Sequence, residues 1–179
     1  MRRSLAILTL AVLWGLPWGA WLGDFPGHML RHMGLVAVAA LLLAPAAWSG
    51  VPVVLAAGIE FAVVWGWHLP MAHHFAASGL APKALEQAAF LLAGMLVWAS
   101  AMDAERPLAG AVGLLLTSMH MTLLGALLIL APRVLYHGDL AGQQLGGLLM
   151  LGIGTPIYLV AGLLLVRRAL GPDRLEGLA

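Results

Sequence analysis

Six long apolar stretches dominate this chain, at about residues 4–22, 28–48, 53–69, 83–102, 108–131 and 143–166, with only short polar turns between them. Each approaches the roughly 20 residues that an α-helix needs to cross the hydrocarbon layer. Backbone polar groups in lipid must be paired within the protein, so runs of this length are open to helices and little else. The 179-residue chain is 62% hydrophobic and 9% charged, with a mean hydropathy of +0.96. An average soluble chain is about a quarter charged. The expected fold class is therefore all-α: a polytopic transmembrane helix bundle of about six spans, forming one integral-membrane domain over residues 1–179.

Met1-Arg2-Arg3 before the first stretch also suits a signal peptide. The run is long, however, and Pro17, Trp18 and Trp21 make a poor small-residue cleavage site, so a retained first helix is expected. Six spans place both termini on one side. Arg2, Arg3, Arg106, Arg167, Arg168 and Arg174 fall on that side, against Arg31, Lys83 and Arg133 on the other. The excess of positive charge makes the side with the termini cytoplasmic. Met71 to Pro82 reads as a polar loop, and Pro156 is expected to kink the last helix.

The chain has no cysteine, which excludes disulfides, thiolate zinc sites, iron–sulfur clusters and covalent haem attachment through CxxCH. No basic cluster suits nucleic acid. No nucleophile–base set or nucleotide-binding motif is present, so an independent enzyme is not expected. Any metal must rest on His, Met, Glu or Asp. His28-Met29-Leu30-Arg31-His32-Met33 opens the second stretch, with His28 and His32 one helical turn apart on one face and Met29 and Met33 on the adjoining face. Imidazole and thioether ligands suit copper, and thioethers favour Cu(I).

The expected topology puts His28, His32, His68, His73, His74 and His137 on the outer side, with His120 near mid-membrane. Interfacial preference gives no reason for such asymmetry. His28, His32 and His68 form the core of a candidate copper site, His73 or His74 adds a further imidazole, and Met29, Met33 or Met71 supplies sulfur. Arg31, a cation between two candidate ligands, needs an anion, with Asp24, Glu86 and Asp139 as candidates.

Glu60 and His120 are ionisable groups at membrane depth, and each must find a partner inside the bundle. They can pair with one another, Glu60 can bind a proton or cation, or a protonated Glu60 can bond to backbone or Tyr158. Met119 and Met121 flank His120 but project about 200° apart, so both cannot serve one site. Glu86 reads either as an acid favoured by a helix N-terminus or as an outer-shell partner orienting a ligand histidine. Gln143 and Gln144, within Gly142-Gln143-Gln144-Leu145-Gly146, combine hydrogen-bonding capacity with the small-residue spacing of close helix contacts.

His28-Met29-Leu30-Arg31-His32-Met33, Trp67-His68-Leu69-Pro70, Leu85-Glu86-Gln87 and Gln143-Gln144-Leu145-Gly146-Gly147-Leu148-Leu149-Met150 resemble, in order, the motifs of the polytopic CtaG-type cytochrome c oxidase assembly factors. The resemblance runs from about Pro26 to Arg168. Family members usually have more spans. They carry Glu-His where this chain has Glu86-Gln87, Asp where it has Gly142, and often Trp where it has Leu151. The resemblance implies a multi-pass protein of the bacterial inner (cell) membrane that helps mature a haem–copper oxidase, through copper delivery to an oxidase subunit or other copper protein. Two further readings stand beside it. One is a membrane cytochrome with haem b between His120 and His68 or His32. The other is a structural subunit of a respiratory complex.

Overall fold

Proline sets most of the helix ends. A computed structural model describes residues 1–103, 105–136 and 138–171; His137 and Arg174 lie outside the described residues. Among these residues the secondary structure is entirely helical. Helix α1 (Arg2–Gly15) stops before Pro17, and a short α2 (Trp18–Leu22) follows. Helix α3 spans Asp24–Leu43, and a single 3₁₀ turn, Ala46–Trp48, comes after Pro45. Helix α4 (Val53–Trp67) begins behind Pro52 and ends before Pro70, which is the first residue of α5 (Pro70–Ala77). Helices α6 (Leu80–Ala101) and α7 (Pro107–Leu130) carry Pro82 and Pro107 in their first turns. Proline is tolerated there because the first N–H groups of a helix have no intrahelical partner. Helix α8 runs over Leu140–Ala169.

Helices α3, α6, α7 and α8 are each long and apolar enough to cross a membrane, and α4 with α5 passes the same test as a pair bent by 74°. The polytopic helical bundle expected from the sequence is what forms, with four to five such crossings beside the six apolar stretches. Two local expectations change. The stretch at 4–22 is not one helix: Pro17 breaks it, leaving α1 at 14 residues, about 21 Å long at 1.5 Å per residue. Half of the loop expected over 71–82 is helix α5, because Pro70 stops α4 and starts a new helix in another direction. Pro156 sits within α8, where the kink is expected. A π-helical segment, Met150–Gly154, directly precedes α8's continuation from Thr155. It lies where the proline ring would otherwise meet the carbonyl four residues back. A second π segment, Gly34–Ala39, lies inside α3.

Helices α7 and α8 meet backbone to backbone. A Cβ on Gly147 would lie 2.6 Å from the carbonyl oxygen of Gly125, and one on Gly146 would lie 2.5 Å from the Phe25 ring of α3. The small-residue contact thus rests on Gly146 and Gly147, each toward a different helix. Gly142 has another role: its N–H donates to the Asp139 carboxylate (2.6 Å), which caps α8.

The beginnings of α3, α6 and α8 and the end of α4 share one end of the bundle, joined there by His28–Glu86 and Tyr136–His68 contacts. At the other end Arg2 donates to the Leu41 carbonyl (2.7 Å), and Arg106 pairs with Asp103 (2.8 Å). The backbone N–H of Glu105 and the Arg106 guanidinium hold the Asp103 carboxyl below its ordinary value. All imidazoles but His120 lie toward the first end among the described residues. Replacing Gly147 with Ala should force α7 and α8 apart and cost about 1–3 kcal/mol. A lowered thermal midpoint in detergent, set against an unchanged midpoint for Gly152→Ala, where a Cβ meets open space, checks this.

Candidate metal centre

Two helix starts and one helix end build the site. Asp24 in the first turn of α3 complements the helix dipole, and the chain enters through Gly23 at φ +96°, where an L side chain is strained. This start sets His28 and His32 inward, with ring centroids 3.9 Å apart. Between them and α6 stands Glu86, with none of its surface exposed. His28 Nε2 lies 3.2 Å from Glu86 Oε1, and His32 Nε2 lies 3.4 Å from Glu86 Oε2. Helix α6 begins at Leu80, so Glu86 is nearly two turns inside it, and the reading of Glu86 as a helix-start acid falls away. Gln87, at the position where the family motif has histidine, is also buried and donates through Nε2 to Glu86 Oε2 (3.2 Å).

His68 comes from the end of α4, immediately before the bend. Its Nδ1 lies 2.6 Å from the carbonyl oxygen of Val64. A carbonyl can only accept, so Nδ1 carries the proton and Nε2 keeps its lone pair. The ring lies 5.8 Å from that of His32, and the His68 carbonyl accepts from the Tyr136 hydroxyl (2.6 Å). Burial pushes the Tyr136 phenol up to about 12, so it remains a donor across the physiological range.

The 74° bend at Pro70 brings His73 back over the site, 5.1 Å from His28 between ring centroids and 4.6 Å from Tyr136. One donor atom each from His28, His73 and Glu86 all lie within 4.8 Å of one another. Two ligands on one ion with bonds near 2.0–2.2 Å stand about 3.3–4 Å apart, so sub-ångström side-chain movement closes this set. Beyond the His28–Glu86 and His32–Glu86 pairs, His32 Nδ1 and His68 Nε2 are buried and make no hydrogen bond. Buried polar atoms of native proteins are nearly always paired. Two such nitrogens beside a buried imidazole–carboxylate cluster, each able to offer a lone pair to a metal, fit a cation.

Not every expected ligand joins the cluster. His74 and Met71 are on the exposed side of α5, Met71 at 86% exposure. Met29 and Met33 are fully buried and lie below the imidazoles rather than beside His73. Arg31 finds no anion among the described residues. Its Nε donates instead to the Leu13 carbonyl at the end of α1 (3.2 Å). The helical partner of that carbonyl would be the N–H of residue 17, which is proline, so Arg31 fills a gap that Pro17 makes.

Gln143 and Gln144 do the same for α7. Gln143 Nε2 donates to the carbonyls of Leu128 (3.1 Å) and Arg133 (3.4 Å), while its Oε1 accepts from Leu135 N–H (2.7 Å). Gln144 Nε2 donates to Ile129 (3.3 Å). Leu128 lacks its helical donor because residue 132 is proline. The glutamines thereby hold the segment that delivers Tyr136, which stacks on Phe25 (4.8 Å) beside His73. Phe90, one turn after Glu86, stacks on His32 (4.0 Å). Neither aromatic has a sequence signal beyond its position in an apolar run.

Glu60 and His120 form a separate polar cluster deeper in the bundle. Thr117 donates to Glu60 Oε2 (2.8 Å), and His120 Nε2 lies 3.7 Å from the same atom. The Tyr158 hydroxyl lies 3.2 Å from Glu60 Oε1 and 3.1 Å from the Val36 carbonyl, which also accepts from Trp98 Nε1 (3.0 Å). His120 borders an apolar groove of about 830 Å³ between α4 and α7. Met119, 68% exposed, lines that groove, whereas Met121 faces the bundle interior.

A family model described as cytochrome c oxidase caa3 assembly factor (Caa3_CtaG) matches residues 48–171. The chain belongs to that family. The matched region of this CtaG-type protein includes His68, His73, Glu86, Gln143 and Gln144, while His28 and His32 precede it and join the cluster through the fold alone. No curated protein and no solved structure matches the chain. Replacing Gln143 with Leu should strand the Leu128 carbonyl and the Leu135 N–H and cost about 1–3 kcal/mol. Thermal unfolding in detergent measures this, with a smaller loss for Gln144→Leu, which strands one group.

Proposed function

We propose that this CtaG-type membrane protein binds copper at the histidine end of the bundle and passes it to a haem–copper oxidase under assembly, without catalysing a reaction itself. One observation carries the reading: His28, His32 and His73 converge on the buried carboxylate of Glu86 with His68 beside His32, and His32 Nδ1 and His68 Nε2 are buried without a hydrogen-bond partner. Four imidazoles and one carboxylate can hold copper in either oxidation state. The oxidase as client comes from the family's description, and the recipient is an oxidase subunit or another copper protein.

The geometry suits transfer as well as binding. His73 and His28 form the accessible rim, with the His28 side chain 13% exposed, while His32 and His68 lie deeper. Exchange with a docked acceptor would begin with the two outer imidazoles. Arg2, Arg3, Arg106, Arg167 and Arg168 sit toward the opposite end, against Arg31, Lys83 and Arg133 near the site. By the positive-charge rule the site then faces the extracytoplasmic side of the bacterial inner membrane, with the N-terminus inside.

Haem b asks for a different space. The His68 and His32 rings border a cavity of about 10 Å³ closed by Met33, Val64 and Met121, while cofactor pockets run to several hundred Å³. The larger groove at His120 is lined by neither His32 nor His68, so copper fits these donors better than haem b. The double variant His28→Ala, His73→Ala should weaken copper binding by about 10-fold or more, since loss of even an outer-shell partner does as much. Elemental analysis and competition with a copper chelator, on purified protein in detergent, read this directly. Unchanged copper stoichiometry and affinity would sink the site as drawn.

A further inference from the structure

The small cavity beneath the imidazoles is lined by methionines. Met29 and Met33 come from α3, Met121 from α7 and Met150 from α8, and all four are essentially without exposed surface. The rings of His32 and His68, with Val36, Val64 and Phe90, close the remainder. At about 10 Å³ the cavity holds roughly one water-sized body. The protein has nine methionines, and four of them, from three helices, meet at this point.

Methionine is an adaptable core filler, so burial by itself means little. Two further observations separate this chamber from ordinary packing. Flexible thioethers that served only to fill space would close this cavity, yet it persists beside two residues, His32 and His68, that each keep a buried nitrogen without a hydrogen bond. Both π-helical segments also adjoin it: Gly34–Ala39 starts directly after Met33, and Met150 is the first residue of Met150–Gly154. The extra residue in a π turn rotates the side chains before it against those after it, a device common at functional sites. Gly154 then leaves bare backbone against the Met33 methyl, since a Cβ there would lie 2.6 Å from Met33 Cε and 3.8 Å from Met121 Sδ.

We infer that Met29, Met33, Met121 and Met150, with His32 and His68, form a second metal site below the His28–His73–Glu86 cluster, selective for a soft monovalent ion of the Cu(I) or Ag(I) kind. Neutral thioethers and imidazoles in an apolar enclosure bring no negative charge to offset a divalent ion, while a soft d¹⁰ monovalent ion needs little. His32 and His68 stand at the boundary of both clusters. An ion moving between them would change oxygen-and-nitrogen donors for sulfur donors without crossing an apolar gap. The choice of copper as the natural ion rests on the function proposed above; the existence of a sulfur site does not.

The test uses the full-length protein in detergent, loaded with Cu(I) under reducing conditions and, separately, with Ag(I). X-ray absorption should show a metal–sulfur shell in the wild type. The variant Met33→Leu, Met121→Leu, Met150→Leu nearly conserves volume and keeps the core filled. It should lose that shell and one equivalent of bound Cu(I) or Ag(I), while Cu(II) binding at the imidazoles persists. In His28→Ala, His73→Ala the sulfur shell should remain, which separates this site from the outer one. A wild type without sulfur scattering, or a methionine variant with undiminished Cu(I) and Ag(I) stoichiometry, overturns the inference and leaves the imidazole site standing. If the double histidine variant keeps its sulfur shell and also its full Cu(II) binding, the outer reading fails while the sulfur site holds.

Discussion

Glu86 carries the strongest constraint on this molecule. A carboxylate removed from solvent is tolerated only with close partners, because desolvation of an isolated charge costs several kcal/mol even after relaxation. Here the partners are His28 and His32 from α3 and Gln87 from its own helix. That requirement fixes the register of α3 against α6. Phe90, one turn further along, then receives the His32 ring, and the methionines of α3 are turned toward α7 and α8. The imidazole cluster and the sulfur chamber are two consequences of one helix pairing.

A second constraint comes from prolines that end helices early. Each leaves a carbonyl without its donor, and a membrane interior offers little water to replace it. The chain answers with side chains from other helices: Arg31 for Leu13, Gln143 for Leu128 and Gln144 for Ile129. These contacts tie α1 to α3 and α7 to α8 where the helices converge on the imidazoles. The Tyr136 segment depends on the same glutamine, so the aromatic cover of His73 is held by a helix cap.

Much of this was readable from the residues alone. The i, i+4 spacing of His28 and His32 and the gathering of histidines at one end follow from helical periodicity and alternating spans. The opposite projections of Met119 and Met121 follow as well, one reaching the outside and the other the core. Glu86 stood as an acid with two roles, and only the position of Leu80 as the helix start decided between them. The choice of His73 over His74 was hidden, because it depends on a bend angle at Pro70 that no local pattern specifies. Arg31 departs from expectation for a simpler reason: a cation in lipid needs a partner, and a stranded carbonyl serves in place of an anion. Pro17 four residues after Leu13, and Pro132 four after Leu128, were the available signals. The union of Met29 and Met33 with Met121 and Met150 joins residues about 90 to 120 positions apart and has no sequence signal.

The Arg31 contact with Leu13 has a thermodynamic corollary. Arg31 lies on the same helical turn as the two imidazoles that face Glu86, so the end of α1 is coupled in free energy to the state of that turn. Coupling of this kind is reciprocal. An occupant that ordered His28 and His32 would change the hold on α1, and detaching α1 would change the occupant's binding by the same factor. The first helix, too short to span a bilayer with ease, thereby acts as a thermodynamic partner of the site rather than as a bystander.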